Sequence, residues 1–291
     1  MGATLRMLAL FAGLILIFTM IGWLLGTLFF NDWVIGSLIF LGLALIINFV
    51  SYFWSDKIVL WSFGAKIVSQ VEYPRLHKVV TEVCMRADMP MPRIAVVPSR
   101  TPNAFATGRN KNNAVIAVTD GIMSLLPDEE LEGVLAHEMA HIKDRDMLVM
   151  TVAATIAGAV AFASRMAFYG SLGRSRNNSG GNAIILLVAA ITAPIAALLL
   201  RLAISRSREY KADKEGSLMI QRPLALARAL EKLEDANRRR PMERGSPTSA
   251  SLFIVNPFSG GGLVTLFMTH PPIKVRVSRL KQLAEDTGYL G

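Results

Sequence analysis

The chain has 291 residues, and its composition is typical of a membrane protein. Its mean hydropathy is +0.41 and 52% of its residues are apolar, which excludes a purely soluble protein. Lys and Arg outnumber Asp and Glu by 31 to 22, and the formal charge is +9. Because the basic residues cluster beside long apolar runs, we expect membrane lipid rather than nucleic acid as the anionic partner.

Two apolar runs near the N-terminus, 8–30 and 33–53, predict a transmembrane hairpin. Each run is long enough to cross a hydrocarbon core of about 30 Å at about 1.5 Å per residue of helix. Since only two residues separate the runs, the outer ends of the hairpin, marked by Arg6 and Lys57, lie on one side of the membrane. We assign residues 1–55 to this hairpin.

Two shorter apolar runs, 147–163 and 183–200, indicate a second hairpin, 147–200, and about four transmembrane helices in all. A buried or re-entrant hairpin is the alternative. The polar segments, 56–146 and 201–291, are expected to form two halves of one domain. Lys and Arg near the inner ends of the apolar runs place this domain in the cytoplasm by the positive-inside rule, although two arginines in the opposite loop count against it.

The polar segments contain patterns of helices and strands. Residues 72–86 have a helical period, whereas 93–97 and 114–118 are rich in β-branched residues and are predicted to form an antiparallel pair. From Pro127 a helix is expected to run without a break into the third apolar run, because acidic residues occupy its first turn and apolar residues repeat on a helical period. The same reasoning predicts helices over 201–219, from Pro223, and from Pro272 through Leu283.

The sequence HEMAH, at 137–141, is the strongest chemical signal in the chain. Residues four apart share one face of a helix, so His137 and His141 can bind one metal ion while Glu138 lies at the edge of the same site. This pattern is typical of hydrolytic zinc sites, in which the glutamate acts as the base. The chain has a single cysteine, Cys84, so a metal site must use nitrogen and oxygen ligands.

A catalytic zinc ion usually takes three protein ligands, so a third is needed. His77 and His270 are the remaining histidines, and Glu209 offers a carboxylate in SRSREYKADKEG. Asp213 lies one helical turn after Glu209 and could accept a hydrogen bond from the free ring nitrogen of a ligand histidine. Spacing alone leaves open whether these two carboxylates serve the metal or are solvated. Asp146, just beyond HEMAH, either braces a ligand or ends the polar part of its helix.

The chain resembles the HtpX family of membrane-bound zinc metalloproteases, relatives of the CAAX prenyl endopeptidases. HEMAH, SREYKAD, NAFATG and THPPIKVRV, together with the two apolar hairpins, carry this resemblance over nearly the whole chain. It implies one Zn²⁺ ion held by His137, His141 and Glu209, with Glu138 as catalytic base and Asp213 supporting a ligand. It also implies a bacterial inner-membrane protease with a cytoplasmic active site, which removes damaged or misassembled membrane proteins under envelope stress.

Further residues are candidates for contact with a substrate. Asn103, Ala104 and Phe105, in NAFATG, lie in a segment that can bind an extended peptide by β-addition, the alternative being an ordinary hairpin. His270 is a candidate hydrogen-bond donor to the oxyanion of the reaction, or else a capping or core residue. Arg276 is a second candidate donor, or else it holds a carboxylate.

The sequence therefore predicts a mostly α membrane protein with a small β hairpin or sheet, a zincin-like HExxH catalytic domain and about four transmembrane helices. We expect a metalloendopeptidase that acts on proteins or peptides. Two alternatives stay open at this point. The same catalytic groups serve CAAX-type prenyl-protein endopeptidases, and a non-catalytic membrane scaffold could bind zinc without turnover.

Overall fold

The structure is a computed structural model that describes residues 3–27, 31–144, 146–172, 205–242, 247–258 and 270–290. Two apolar helices come first, α1 (Ala3–Leu25) and α2 (Trp33–Ser62). The Asp32 carboxylate caps α2 by accepting hydrogen bonds from the backbone N–H groups of Val34 and Ile35. This local cap fixes the turn between the two helices.

Glycines allow α1 and α2 to pack with their backbones in contact. A β-carbon on Gly36 would lie 2.3 Å from the carbonyl oxygen of Gly22 and 2.5 Å from the α-carbon of Gly26. Small residues at such crossings are typical of helix pairs in membranes. Most of the apolar side chains of the pair point outward, and only 17% and 22% of the most apolar windows of α1 and α2 are buried. The predicted N-terminal pair of membrane helices is confirmed in length and composition.

The chain also forms a four-stranded sheet, which lies between helices on both of its faces. Its strands are β1 (Lys66–Ile67), β2 (Arg93–Val97), β3 (Ala104–Gly108) and β4 (Ala114–Thr119), in the order β1-β2-β4-β3. β2 and β4 are parallel, whereas β1 is antiparallel to β2 and β3 is antiparallel to β4. β3 is therefore an edge strand of this sheet.

The prediction that 93–97 and 114–118 form an antiparallel pair is wrong. Both strands form at these positions, but they run parallel, because the segment between them makes a strand of its own that turns back along β4. A short 3₁₀ turn, Lys111–Asn113, closes the β3–β4 hairpin, and the Asn110 side chain caps it. The turn residues of RNKNN therefore belong to this hairpin.

Seven further helices are described beyond α2. They are α3 (Pro74–Ala87), α4 (Asp120–Leu125), α5 (Asp128–Lys143), α6 (Asp146–Leu172), α7 (Arg206–Ile220), α8 (Pro223–Arg239) and α9 (Ile273–Thr287). The helices predicted over 72–86, from Pro223 and from Pro272 are confirmed. The helix predicted over 201–219 begins at Arg206, because Ser205 is extended and is its N-cap residue. Residues 201–204 lie outside the described chain.

Both faces of the sheet are buried. Ile94, Ile116 and Val118 contribute to a core shared with α3, α5, α8 and α9. Val97 and Val115 point to the opposite face and contribute to a second core, shared with α1 and α6. Because successive residues of a strand point to opposite faces, this two-sided burial explains why β2 and β4 are almost entirely apolar.

The helix that carries HEMAH does not continue into the third apolar run, contrary to the prediction. α5 ends at Lys143, Asp144 caps it, and α6 begins at Asp146. The first half of α6 is a core helix that packs against the sheet and α1. Its buried side chains include Val149, Val152, Ala153 and Ile156.

The expectation of about four transmembrane helices is not confirmed. Among the described residues, two helices are long and apolar enough to cross a membrane, Thr4–Leu25 and Trp33–Ser62. The apolar segment at the start of α6, Asp146–Ala159, falls short of that length. The fourth apolar run, 183–200, lies outside the described residues.

Glycines also fix the spacing of the helices around α5. A β-carbon on Gly216 of α7 would lie 2.7 Å from the carbonyl oxygen of Ala136 and 2.8 Å from the backbone nitrogen of His137. A β-carbon on Gly133 of α5 would lie 2.9 Å from the backbone nitrogen of Leu226, on α8. All three distances are shorter than a β-carbon can approach these atoms, so α7 and α8 can contact α5 this closely only because residues 216 and 133 are glycine.

Candidate metal centre

Helix α5 presents two imidazoles on one face. Three acidic residues occupy its first turn, where their negative charges interact favourably with the helix dipole. His137 and His141 lie further along the helix, one helical turn apart. Their Nε2 atoms lie 3.2 Å apart. Both side chains are at most 5% exposed. The local sequence therefore fixes the position of both rings.

Helix α7 brings the Glu209 carboxylate to the same point. Its Oε2 lies 3.8 Å from Nε2 of His137, and its Oε1 lies 3.5 Å from Nε2 of His141. One ligand atom from each of these three buried residues lies within 4.8 Å of the others. His77, which the sequence left open as a ligand, lies elsewhere, with its Nε2 3.2 Å from the carbonyl oxygen of Val68.

The chemistry of these three side chains fits a divalent metal ion. Burial lowers the pKa of His141 to about 4, so its imidazole is neutral near pH 7. Burial raises the pKa of Glu209, but His270 and the two ligand imidazoles outweigh this and hold the pKa well below its usual value, so the carboxylate is ionised. Within the described residues, Oε1 of Glu209 is buried without a hydrogen-bond partner. A neutral His141 imidazole, the adjacent His137 ring and an unsatisfied carboxylate oxygen together form a donor set of the kind that a metal ion requires.

Glu138 lies beside this cluster, against the edge strand. Its side chain is buried, and burial raises its pKa to about 7, although the nearby His137 acts in the opposite direction. The backbone N–H of Ala106, in β3, donates a hydrogen bond to the Glu138 carboxylate. A carboxyl group with a pKa near neutrality can both accept and release a proton under ordinary conditions.

Asp213 and Arg276 form a buried pair behind His137. The Asp213 carboxylate accepts hydrogen bonds from Nε and Nη2 of Arg276 at 2.8 and 2.7 Å, and its Oδ1 lies 2.9 Å from Nδ1 of His137. Arg276 is 0% exposed, and its Nη1 donates to the carbonyl oxygen of Ile254 at 2.8 Å. Of the two roles considered for Arg276, the structure places it where it holds a carboxylate.

His270 approaches the cluster from the segment before α9. Its Nδ1 lies 2.9 Å from Oε2 of Glu209. Its side chain is 11% exposed, and its Nε2 has no hydrogen-bond partner among the described residues. The residues just before it, 259–269, lie outside the described chain.

The first half of the edge strand is covered by the chain itself. The Asn103 side chain donates a hydrogen bond to the carbonyl oxygen of Val255 at 2.6 Å, and the carbonyl oxygen of Ala104 accepts one from the N–H of Ile254 at 3.2 Å. Phe105 points into the second core, where its ring packs against two other aromatic rings. This cover could not be predicted from the sequence, because nothing local in 252–255 indicates pairing with β3.

Two arginines near the site, Arg6 and Arg208, are not indicated by any local sequence pattern. Nη2 of Arg6, in α1, lies 2.6 Å from Oδ1 of Asp146, and Nη1 of Arg208 contacts the same oxygen. Arg6 and Asp146 are 140 residues apart in sequence, and Arg6 at the start of an apolar run was interpreted only as a charge at the end of a membrane helix. Arg6 differs from an ordinary charged residue at the end of a membrane helix because it is buried, with 7% of its surface exposed.

Comparisons with known protein families and with individual proteins indicate the same protease family. Residues 70–284 match Peptidase family M48. A "Protease HtpX homolog" from Syntrophobacter fumaroxidans is 52% identical over 253 residues, which cover 85% of this chain and 90% of that protein. Another "Protease HtpX homolog", from Salinibacter ruber, is 49% identical over 284 residues, which cover 97% of this chain and 98% of that protein.

Among solved structures, the crystal structure of S. mikatae Ste24p matches with a TM-score of 0.48 at 18% identity, over 89% of this chain and 61% of that chain. The family match spans most of the described domain and contains HEMAH, Glu209 and Asp213. The Salinibacter ruber match, which covers 97% of this chain, also extends over the two apolar N-terminal helices. The chain therefore belongs to peptidase family M48, within its HtpX group, and is a membrane-associated metalloprotease that hydrolyses peptide or protein substrates.

Proposed function

We propose that the chain is a zinc-dependent endopeptidase in which His137, His141 and Glu209 hold the ion and Glu138 is the catalytic base. The observation that carries this proposal is the convergence of the three buried ligand atoms within 4.8 Å. Two imidazole nitrogens and one carboxylate oxygen are a common ligand set of catalytic zinc, which keeps a further position open. When bound, zinc supplies Lewis acidity, which lowers the pKa of water and polarises a peptide carbonyl.

Glu138 is proposed to move the proton of the reaction. Its carboxylate takes a proton from the water that attacks the scissile carbonyl carbon, and it then gives this proton to the departing amine nitrogen as the C–N bond breaks. Burial raises the pKa of this carboxyl group, which suits it to accept a proton and to release it again. The hydrogen bond from Ala106 keeps the carboxylate at the strand edge, where the substrate is expected.

Three other side chains are proposed to support the reaction. Asp213, held by Arg276, keeps the proton of His137 on Nδ1, so that the lone pair of Nε2 is available to the ion. The Nδ1 atom of His270 lies 2.9 Å from Oε2 of Glu209, and its Nε2, buried without a hydrogen-bond partner among the described residues, is the proposed donor to the developing oxyanion.

An extended peptide is proposed to bind along the open half of β3. Since alternate residues of a strand direct their backbone groups to the same side, Ala106 and Gly108 face the same edge as Ala104. The carbonyl oxygen of Ala104 already accepts a hydrogen bond from the N–H of Ile254. The carbonyl of Ala106 and the backbone N–H and carbonyl of Gly108 are then left for a substrate. Asn103 and Ala104 are proposed to position edge strand β3 through their hydrogen bonds to Val255 and Ile254. Phe105 is proposed to anchor this strand in the second core. Recognition through backbone groups tolerates many substrate sequences.

We propose that the enzyme is a multi-pass protein of the bacterial inner membrane whose metal site faces the cytoplasm. Arg6 and Lys57 lie at the same end of the N-terminal hairpin, and positive residues mark the cytoplasmic side. The metal site lies at this end, because Arg6 contacts Asp146 directly after the metal helix. The segments 56–146 and 201–291 are proposed to fold as one domain. Exposed loops and tails of damaged membrane proteins are then the accessible substrates.

Replacing Glu209 with Ala tests the metal site. We expect purified full-length protein to contain about one zinc ion per chain and the variant to lose at least about 90% of it, because a catalytic site with two protein ligands binds zinc far more weakly. Metal analysis by mass spectrometry measures this directly. Glu215→Ala is the matched control, since Glu215 is a carboxylate of the same helix that pairs with Lys211 at the surface. A full complement of zinc in Glu209→Ala would contradict the ligand assignment.

A comparison of two substrates tests the proposed substrate class. We expect the zinc-loaded enzyme to hydrolyse casein, an unfolded protein, and to leave a farnesylated CAAX peptide intact, because the strand edge binds extended backbone without a lipid. Loss of casein hydrolysis with a chelator and its recovery with added zinc provide the control. Cleavage of the prenylated peptide alone would favour a prenyl-protein endopeptidase instead.

A further inference from the structure

A buried ionic cluster connects the first membrane helix to the metal domain. Asp146, at the start of α6, is 2% exposed and receives Nη2 of Arg6 at 2.6 Å from α1. Nη1 of Arg208, from α7, contacts the same carboxylate oxygen. One acidic side chain therefore joins three helices that are far apart in sequence.

The Asp146 carboxylate lies next to both metal-binding helices. Arg208 directly precedes Glu209 in the chain, so the contact of Arg208 fixes the start of the helix that carries the third ligand. The other oxygen of Asp146, Oδ2, lies 4.0 Å from Nδ1 of His141. Nδ1 is the ring nitrogen of His141 that points away from Glu209, and within the described chain it is buried without a hydrogen-bond partner.

We propose that Arg6 is a positioning residue of the metal site, so that the first membrane helix is a working part of the catalytic centre. Arg6 holds Oδ1 of Asp146, which directs Oδ2 toward the free ring nitrogen of His141. A shift of about 1 Å brings these two atoms to hydrogen-bonding distance. This inference rests on the proposed zinc site formed by His137, His141 and Glu209.

The physical reason is the orientation of a ligand imidazole. A histidine that binds a metal through one nitrogen normally donates its other N–H to a carboxylate or carbonyl, which fixes the ring and its tautomer. Asp213 lies at this position for His137, and Asp146 is placed to do the same for His141. Without Arg6, Asp146 would keep its contact with Arg208 alone and would be free to rotate away from His141.

The test measures zinc affinity in full-length protein in detergent micelles. We expect Arg6→Met to raise the dissociation constant for zinc about 10-fold, as loss of an outer partner of a ligand usually does. Arg93→Met is the matched control. Arg93 also joins a membrane helix to the soluble domain, through Asp56 of α2 at 3.4 Å, and we expect its variant to bind zinc like the wild type.

A double-mutant cycle separates positioning from simple stabilisation. If Arg6 acts through Asp146, Asp146→Asn alone raises the dissociation constant for zinc. Adding Arg6→Met to Asp146→Asn then raises this constant by less than about a further 2-fold. Additive effects, or a lower melting temperature of the metal-free protein with unchanged zinc affinity, would overturn the proposal. If Arg6→Met does not fold, Arg6→Gln decides by the same criteria. Absence of zinc from the wild type would instead refute the zinc site itself.

Discussion

Replacing Glu138 with Gln is expected to lower kcat for casein hydrolysis by about 10³-fold while the protein keeps its full zinc content. The amide has the size of the carboxyl group but cannot accept the proton of the attacking water, and general base catalysis is worth about 10² to 10⁴ in rate. The proposed ligands His137, His141 and Glu209 are unchanged, so metal binding should persist. Parallel assays of hydrolysis and of bound zinc measure both quantities on one preparation.

Glu132→Gln is the matched control for this variant. Glu132 is also a buried glutamate of α5, but it pairs with Arg86 and Arg222 at 3.4 Å. We expect its kcat to stay within about 2-fold of the wild type, because the side chain belongs to an ion pair away from the metal ligands. If Glu138→Gln with bound zinc retains more than about a tenth of wild-type activity, Glu138 is not the base.

Replacing Arg276 with Met is expected to lower the free energy of unfolding by about 3 to 5 kcal/mol. The change removes a fully buried cation, leaves the Ile254 carbonyl without its side-chain donor, and leaves the Asp213 carboxylate with its contact to His137 but without its cation. Burial by itself raises the pKa of Asp213, and the charge and hydrogen bonds of Arg276 are the main reason that this pKa is nevertheless lowered to about 2. Urea unfolding followed by far-ultraviolet circular dichroism in detergent measures the change, because all four tryptophans lie in α1 and α2 and would not report on this domain.

Two variants test the cause of that loss. Arg279→Met removes an exposed arginine of the same helix, whose guanidinium lies 3.9 Å from the centre of the Tyr210 ring, and should cost less than about 1 kcal/mol. Adding Asp213→Leu to Arg276→Met should recover part of the loss, because no uncompensated charge then remains buried. A cost below about 1 kcal/mol for Arg276→Met would show that the pair contributes little to stability.

The parts of the fold and site that follow local rules could be predicted from the sequence. The spacing of His137 and His141 places both rings on one helix face without any knowledge of the fold, and Pro223 and Pro272 mark the starts of α8 and α9. Glu209 was harder, because spacing alone does not separate a ligand from a solvated carboxylate, and the family resemblance was needed to choose it.

The parts that depend on long-range contacts could not be predicted. The parallel pairing of β2 and β4 depends on β3 forming between them, and a pattern of β-branched residues carries no strand direction. Arg276 and Asp213 are 63 residues apart, and no periodicity links them. Likewise, nothing near Ile254 indicates that its N–H covers the start of the edge strand.

The glycine contact between α5 and α7 limits how the metal site can adapt to ions of different radius. At Gly216 the backbones of the two helices touch beside His137, and the same helix carries Glu209 about two turns earlier. Rigid helices in backbone contact cannot move closer together, so an ion smaller than zinc cannot draw them inward. Rotation of the side chains of His137, His141 and Glu209 is then the adjustment that remains, so we expect main-chain geometry to contribute to selectivity among metals together with ligand chemistry.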